Sequence, residues 1–294
     1  MTERFVLIGH PVGHSVSPQI HQAAYALLGK RGDYRLCDCS TQDDVRAQIE
    51  LIRSGHLVGA NVTVPWKQLA YDLADERAAS AQEVGVANVL AQNKAGQVVA
   101  HNTDATALAD ELRLVSEQCP HRKLRPGVLI VGNGGAARAA VVACRLSGLG
   151  PIAVTARSFC EGPGPSAWPR GGEFQALGAQ LVGWPEPQNA ACESFVSAAH
   201  LIVQATSAGM KGTSGGKQLA ELLPWAALRE GAAYDLVYNP PVTPFLERAR
   251  AEKHIARGGL GMLVGQAAHA LELWWGQRPA QGPLLLAAQK ALGL

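Results

Sequence analysis

One loop in the chain carries residue types whose spacing already implies a chemistry. Gly132-Asn133-Gly134-Gly135-Ala136-Ala137 reads Gly-x-Gly-x-x-Ala, directly after the apolar run Val128-Leu129-Ile130-Val131 and before a helical stretch ending near Leu146. Glycines at that spacing let the backbone turn tightly and approach a pyrophosphate, whose charge rests on the free amides opening the helix. By itself the pattern also describes a plain tight turn; strand, loop and helix in this order select dinucleotide binding over it. The next strand ends Val154-Thr155-Ala156-Arg157-Ser158 and offers no carboxylate for a ribose 2′-hydroxyl before Glu161. An arginine there can grip a 2′-phosphate with two parallel donors, and Ser158 can add another. That points to NADP rather than NAD, with a solvated loop arginine as the plain alternative.

Such a loop needs a sheet behind it, and the chain supplies strands alternating with helices. Residues 5–9 read as a strand. Ser17-Pro18 then opens a helix, with serine as the cap and proline in the first turn. Ile20, Ala23, Ala24, Leu27 and Leu28 give that helix one apolar face, and Gly29 stands near its end. Residues 34–39 read as a second strand, 43–53 as a helix, and 58–64 as a third strand stopped by Pro65. This alternation marks a mostly parallel sheet. A second unit starts near Asp104 with a helix over residues 104–115, followed by strands over 128–131, 152–156, 201–204 and 232–236. Short apolar runs of this kind suit strands buried on both faces. Residues 161–172, rich in Gly and Pro and without periodicity, read as a surface loop. Residues 262–294 read as helical, with a break near 276–279. The fold class is therefore α/β, in two domains.

Composition narrows the functions further. A chain of 294 residues is long enough for two cores. Its net charge of +2 is too small to argue for nucleic acid or an anionic membrane as a partner. The first apolar run is too short for a signal-peptide core, and no stretch approaches transmembrane length, so a cytoplasmic protein is expected. The 6 cysteines form no C-x-x-C and no zinc-finger spacing, which fits a reducing compartment. Cys37 and Cys39 read as alternating strand positions rather than a metal pair, and no metal site is expected.

Several motifs together name a family. His10-Pro11-Val12-Gly13-His14-Ser15-Val16-Ser17-Pro18-Gln19-Ile20-His21 resembles the opening motif of shikimate dehydrogenases, and Asn61-Val62-Thr63-Val64-Pro65-Trp66-Lys67 resembles their lysine motif. Asn102-Thr103-Asp104 is similar to the family's Asn-Thr-Asp. The stretches Ala205-Thr206-Ser207-Ala208-Gly209-Met210 and Tyr234-Asp235-Leu236-Val237-Tyr238-Asn239-Pro240, with Thr243-Pro244-Phe245-Leu246, resemble its cofactor-domain segments. Gly259-Leu260-Gly261-Met262-Leu263-Val264-Gly265-Gln266-Ala267-Ala268 resembles its C-terminal motif. The likeness runs in order along nearly the whole chain.

The resemblance implies a catalytic domain of residues 1–103 with 262–294, a Rossmann-type NADP domain of residues 104–261, and a cleft between them. It also implies shikimate dehydrogenase activity, the reversible NADPH-linked reduction of 3-dehydroshikimate. Lys67 and Asp104 are the implied catalytic pair. A lysine opening a helix is otherwise an ordinary surface residue, and Thr103-Asp104 also suits a helix cap. Ser15 and Ser17 are implied as ligands of the substrate carboxylate, at the positive end of a helix. Thr63, Asn88, Gln266 and Tyr238 are implied for the ring hydroxyls. On the cofactor side stand Gly132, Asn133, Gly134, Gly135, Ala136, Arg157, Ser158 and Thr206, with Leu236, Gly259 and Met262 around the nicotinamide. His14 and His21 are expected to order their loop, and His269 to pack in a helix.

The chain departs from the family pattern in places. Ala105 follows the Asn-Thr-Asp where glycine is usual, Val89 follows Asn88 where threonine is usual, and Gln22 follows His21 where asparagine is common. The second basic residue expected after Arg157 is missing, and Arg170 is the weaker candidate to replace it. These changes leave the acid–base pair intact and bear on substrate and on NADP preference. A paralogue acting on quinate or an aminoshikimate, with NAD in place of NADP as one form, is the alternative enzyme; a non-catalytic sensor of shikimate-like ligands is a remote one. The expected partner is a small molecule, and the chain is expected as a monomer or a homodimer.

Overall fold

Short apolar strands separated by amphipathic helices build two six-stranded sheets. The structure, a computed structural model, describes residues 2–160, 167–185 and 190–294. The chain divides into two compact units, Met1–Ala107 with Leu263–Leu294, and Leu108–Met262.

The first unit runs β1 (Glu3–Gly9), α1 (Ser17–Leu28), β2 (Gly32–Asp38), α2 (Gln42–Arg53), β3 (Gly59–Val62), α3 (Lys67–Leu73), β4 (Glu76–Arg77), α4 (Ala79–Val84), β5 (Val89–Gln92) and β6 (Val98–His101). Its sheet order is β2-β1-β3-β5-β6-β4. The strands β2, β1 and β3 are parallel, whereas β3, β5 and β6 pair antiparallel. The β5–β6 hairpin was not foreseen. Its turn is held by Asn93, whose Oδ1 accepts from the amides of Ala95 and Gln97.

Two local readings change. Val16, not Ser17, caps α1, and no side chain bonds its first amides. Ser17 is already the first helical residue, so its hydroxyl is not at the cap position, and it accepts from Ser15 Oγ at 3.1 Å. Leu27 is 48% exposed and leaves the apolar face, while Ser17, Ile20, His21, Ala24 and Tyr25 are buried. The αL conformation of Gly29 ends the helix as its position suggests.

The second unit begins within α5 (Asp104–Glu117) and continues β7 (Gly127–Val131), α6 (Gly135–Leu146), β8 (Ile152–Thr155), α7 (Gly171–Ala176), β9 (Gln180–Leu181), α8 (Ala190–Ser197) and β10 (Ala199–Gln204). It ends α9 (Gly216–Leu222), α10 (Trp225–Leu228), β11 (Ala232–Asp235), α11 (Pro244–Ala251) and β12 (Ile255–Gly258). All strands are parallel in the order β12-β11-β10-β7-β8-β9. Counted from β7, that is 6-5-4-1-2-3, the doubly wound order whose ligand crevice opens where the winding reverses, beside β7 and β10. Leu129, Ile130, Val131, Ile202 and Val203 are buried on both faces of this sheet. Of the expected loop over 161–172, residues 161–166 lie outside the described residues, and Gly171 and Gly172 already belong to α7.

Helices α12 (Leu260–Trp275) and α13 (Gln281–Leu292) close the chain, and α13 packs against α1 within the first unit. Among the described residues no helix is long and apolar enough to cross a membrane.

Candidate active site

Lys67 is the first residue of α3 and Asp104 the first of α5, and their side chains meet. Lys67 Nζ lies 2.6 Å from Asp104 Oδ2, with 29% and 13% of the two side chains exposed. The pair is shielded from bulk water yet reachable. Asp104 is held on its other oxygen too, where Asn88 Nδ2 donates to Oδ1 at 2.8 Å. With both oxygens engaged, the carboxylate cannot rotate freely. The start of α3 is fixed from the same side, since the Ala87 amide donates to Lys67 O at 3.0 Å.

Capping does not consume the carboxylate. Asn102 Oδ1 accepts from the Ala105 amide at 3.1 Å, so Asn102 satisfies the helix start and leaves both Asp104 oxygens to side chains. Thr103 joins the network from three directions. Its amide donates to Asn88 Oδ1 at 2.7 Å, its hydroxyl accepts from Asn88 Nδ2 at 3.0 Å, and that hydroxyl donates to Gln266 O at 3.1 Å.

Behind these residues runs a buried polar chain. Tyr34 Oη donates to Asn61 Oδ1 at 2.8 Å, which fixes the Asn61 amide with Nδ2 toward Asn88 O and Gln266 Oε1, each at a long 3.5 Å. The His21 ring stacks on Tyr34 with centroids 3.9 Å apart. Burial drives the His21 pKa down to about 3, with Asn61 opposing, so the imidazole is neutral. It orders its surroundings rather than transferring protons. Ser15 and Ser17 stand together at the start of α1, their hydroxyls 3.1 Å apart. Thr63 is half-buried, and its hydroxyl makes no hydrogen bond among the described residues.

The second unit assembles its own cluster. Gly132 has φ +125, and a Cβ there would stand 3.0 Å from both Ala205 O and Thr206 Cγ2, so only glycine lets β7 and β10 lie this close at the switch point. Gly134 caps α6 without a side-chain bond, and a Cβ at Gly134 or Gly135 would meet nothing within 4 Å. The 12-residue α6 thus starts with no side-chain cap on its first amides and with uncrowded backbone at Gly134 and Gly135, an arrangement suited to a pyrophosphate. This cradle fits a dinucleotide. Asn133 Nδ2 donates to Ser158 Oγ at 3.0 Å, joining the glycine loop to the end of β8. Arg157 opens a short 3-10 turn and is exposed. Arg170 is engaged with Glu173 at 3.0 Å, and Glu173 also holds Arg138 at 3.1 Å. Thr206 Oγ1 accepts from the Ala208 amide at 3.1 Å, shaping the turn after β10.

Leu236 follows β11, its amide donating to Gln204 O at 3.0 Å. Gly259 presses on it, since a Cβ would fall 2.2 Å from Leu236 O. Met262 is partly buried against the core of the second unit. Tyr238 is half-buried in the loop after β11, and burial raises its hydroxyl above the ordinary value.

The structure thus brings together Lys67, Asp104, Asn88 and Gln266; Ser15 and Ser17; Asn133 and Ser158; Gly132 and Thr206; and Leu236 and Gly259. Thr63 and Tyr238 join none of these groups by a hydrogen bond among the described residues. Asn61, Asn102 and Thr103 lay inside motifs quoted from the sequence, though their individual parts were not read there. Tyr34 carried no signal at all. Among the described residues no group of three or more His, Cys, Asp or Glu is placed to hold a metal ion.

The chain is similar to known proteins along its length. The family model for the shikimate dehydrogenase substrate binding domain matches residues 7–90. The shikimate dehydrogenase (NADP(+)) of Geobacter sulfurreducens is 34% identical over 292 residues, 97% of this chain and 96% of that protein. A crystal structure of shikimate 5-dehydrogenase from Thermus thermophilus in complex with NADP(H) and shikimate is 33% identical, with TM-score 0.78 over 99% of this chain and 100% of that one. The Listeria monocytogenes shikimate 5-dehydrogenase, in complex with shikimate and NAD, is 25% identical, with TM-score 0.81 over 96% of this chain and 95% of that one. Identity at this level over nearly the full length joins the motifs, the strand order and the paired side chains in one assignment: the chain belongs to the shikimate dehydrogenase family.

Proposed function

We propose that the chain is an NADP-linked shikimate dehydrogenase, interconverting 3-dehydroshikimate and shikimate with Lys67 and Asp104 handling the proton. The observation that carries this is the 2.6 Å Lys67–Asp104 pair, with the second carboxylate oxygen held by Asn88. NADPH, when bound, supplies the hydride to the ketone carbon. As the carbonyl oxygen gains negative charge, the Lys67 ammonium gives it a proton, and in the oxidative direction the neutral amine takes the hydroxyl proton. Asp104 keeps the lysine aimed at the reacting oxygen. A sensor without catalysis would not need that pair.

Ser15 and Ser17 take the substrate carboxylate at the start of α1, while Thr63, Asn88, Gln266 and Tyr238 take the ring hydroxyls. The first unit carries substrate and the second carries NADP on the glycine loop. NADP rather than NAD is supported by the Geobacter sulfurreducens and Thermus thermophilus relatives and by Arg157 at the end of β8. A cytoplasmic location is supported by free thiols at Cys37, Cys39, Cys119, Cys144 and Cys192. Every residue invoked comes from one chain, which suits a monomer or a homodimer equally.

The test is a kinetic grid of shikimate and quinate against NADP and NAD. The highest kcat/KM is expected for shikimate with NADP; a higher value for quinate with NAD overturns the assignment. Lys67→Ala should lower kcat by about 10²- to 10⁴-fold with a smaller change in KM. Near-normal turnover would remove the lysine from the chemistry. Arg157→Ala should weaken NADP and spare NAD, and equal losses would show that the arginine does not read the 2′-phosphate.

A further inference from the structure

The second unit buries a carboxylate that the proposed reaction does not use. Glu111 of α5 has only 7% of its side chain exposed, and Arg257 of β12 grips it with two donors, Nε to Oε2 at 2.9 Å and Nη2 to Oε1 at 3.1 Å. The buried Tyr234 hydroxyl points to the same Oε2 at a long 3.4 Å. Burial raises the Glu111 carboxyl and Arg257 works against that rise. Arg257 keeps 39% of its side chain exposed while Glu111 is buried, and replacing an ion pair with a buried member by apolar residues of similar volume is often neutral for a fold. The presence of the pair therefore calls for an account beyond stability.

Its location supplies one. A Cβ on Gly261 would stand 2.5 Å from Cδ, Oε1 and Oε2 of Glu111, so the carboxylate lies flat against the first turn of α12. Negative charge is favoured there by the helix dipole. Two residues earlier, Gly259 is seated against Leu236 O and donates its amide to Val237 O at 3.1 Å. Tyr234 and Arg257 are register partners on β11 and β12, and Met262 packs on the core that contains Tyr234. The backbone of residues 259–262 is thus clamped on one side by the β11 loop and on the other by Glu111.

We infer that the Glu111–Arg257 pair is a positioning device that fixes residues 259–262, and with them the Met262 surface against which the nicotinamide ring lies. This rests on the proposed NADP-linked reaction. Glu111 and Arg257 act through Gly261 and Met262 and touch no reacting atom. Lysine at 257 keeps the charge and loses the two-pronged grip, so it should restore the function in part.

The experiment compares Arg257→Gln, Arg257→Lys and the double apolar variant Glu111→Leu/Arg257→Met with the unaltered chain. Amide hydrogen exchange of residues 259–262 is measured without added ligand, alongside kcat, the KM for shikimate and thermal unfolding. The double variant is expected to keep its melting temperature, exchange residues 259–262 about 10-fold faster, and lose about 10-fold in kcat with an unchanged KM for shikimate. Arg257→Gln should show the same signature with a lower melting temperature, and Arg257→Lys should recover part of kcat. Wild-type exchange and kcat in a stably folded double variant would overturn the inference. If the unaltered chain lacks NADP-linked activity, the proposed function fails, and the exchange measurement still decides whether the pair holds this segment.

Discussion

Thr103→Val isolates what holds the Lys67–Asp104 pair in place. Thr103 is 4% exposed, and valine copies its shape while removing the hydroxyl. Two hydrogen bonds disappear, one from Asn88 Nδ2 and one to Gln266 O. Each contributes about 0.5–1.5 kcal/mol net, so the fold should lose about 2 kcal/mol. At about 2–4 °C per kcal/mol for a protein of this size, the melting temperature should fall by about 4–8 °C. Asn88 keeps its bond to Asp104 but loses its tie to α12, so the carboxylate should wander. A displacement of a fraction of an ångström at a reacting group costs about 10-fold, expected here in kcat/KM for shikimate. The KM for NADP should not move, because no residue of the glycine loop is touched. Thermal unfolding and steady-state kinetics with both substrates decide it. An unchanged melting temperature together with unchanged kcat/KM would mean that the Thr103 bridge orders nothing.

Two further outcomes are expected. Gly132→Ala forces a side chain to φ +125 against Ala205 O, a strain of about 1–3 kcal/mol that the loop relieves by shifting. The KM for NADP should rise about 5- to 100-fold with that for shikimate nearly unaltered, and a uniform loss of both would point to general misfolding instead. His21 has its folded pKa lowered to about 3 from 6.5, so on acidification the unfolded chain takes the proton first. Stability is therefore lost as pH falls from about 6.5 toward about 3, by up to about 1.4 kcal/mol per pH unit. His21→Phe should flatten that limb in denaturant titrations at about pH 4.5 and 6.5, and a pH-independent difference from the unaltered chain would refute it. Asp235, raised to about 7 by burial, acts in the opposite sense across part of this window, and its contribution cancels in the difference between the variant and the unaltered chain.

The glycine loop was readable because its chemistry is local: spacing, a strand before it and a helix after it are all contiguous. Lys67 and Asp104 were readable only through the motifs around them, since a lysine opening a helix and an aspartate after a threonine are commonplace. Their approach depends on β3 and β5 pairing antiparallel, which sets Ala87 against Lys67 and Asn88 against Asp104, and no periodicity in either strand announces that register. The β5–β6 hairpin did leave a trace, in Asn93 and in Gly96 at φ +81, within a stretch too short to stand out. Ser17 looked like a cap because serine before proline is a common start; the helix already begins at Ser17, with Val16 at the cap. The Glu111–Arg257 clamp joins residues 146 positions apart, and nothing in either neighbourhood hints at the other.

The first unit is split in the sequence, with its closing helix α13 packed on α1 although the whole second unit is made between them. On the ribosome, α1 therefore emerges long before its covering helix exists, and its apolar flank must wait unburied while the second unit can already fold on its own contiguous stretch. The order of maturation is thus reversed relative to the order of synthesis, and a chain cut before α13 would release a finished second unit tethered to an uncovered, association-prone first one.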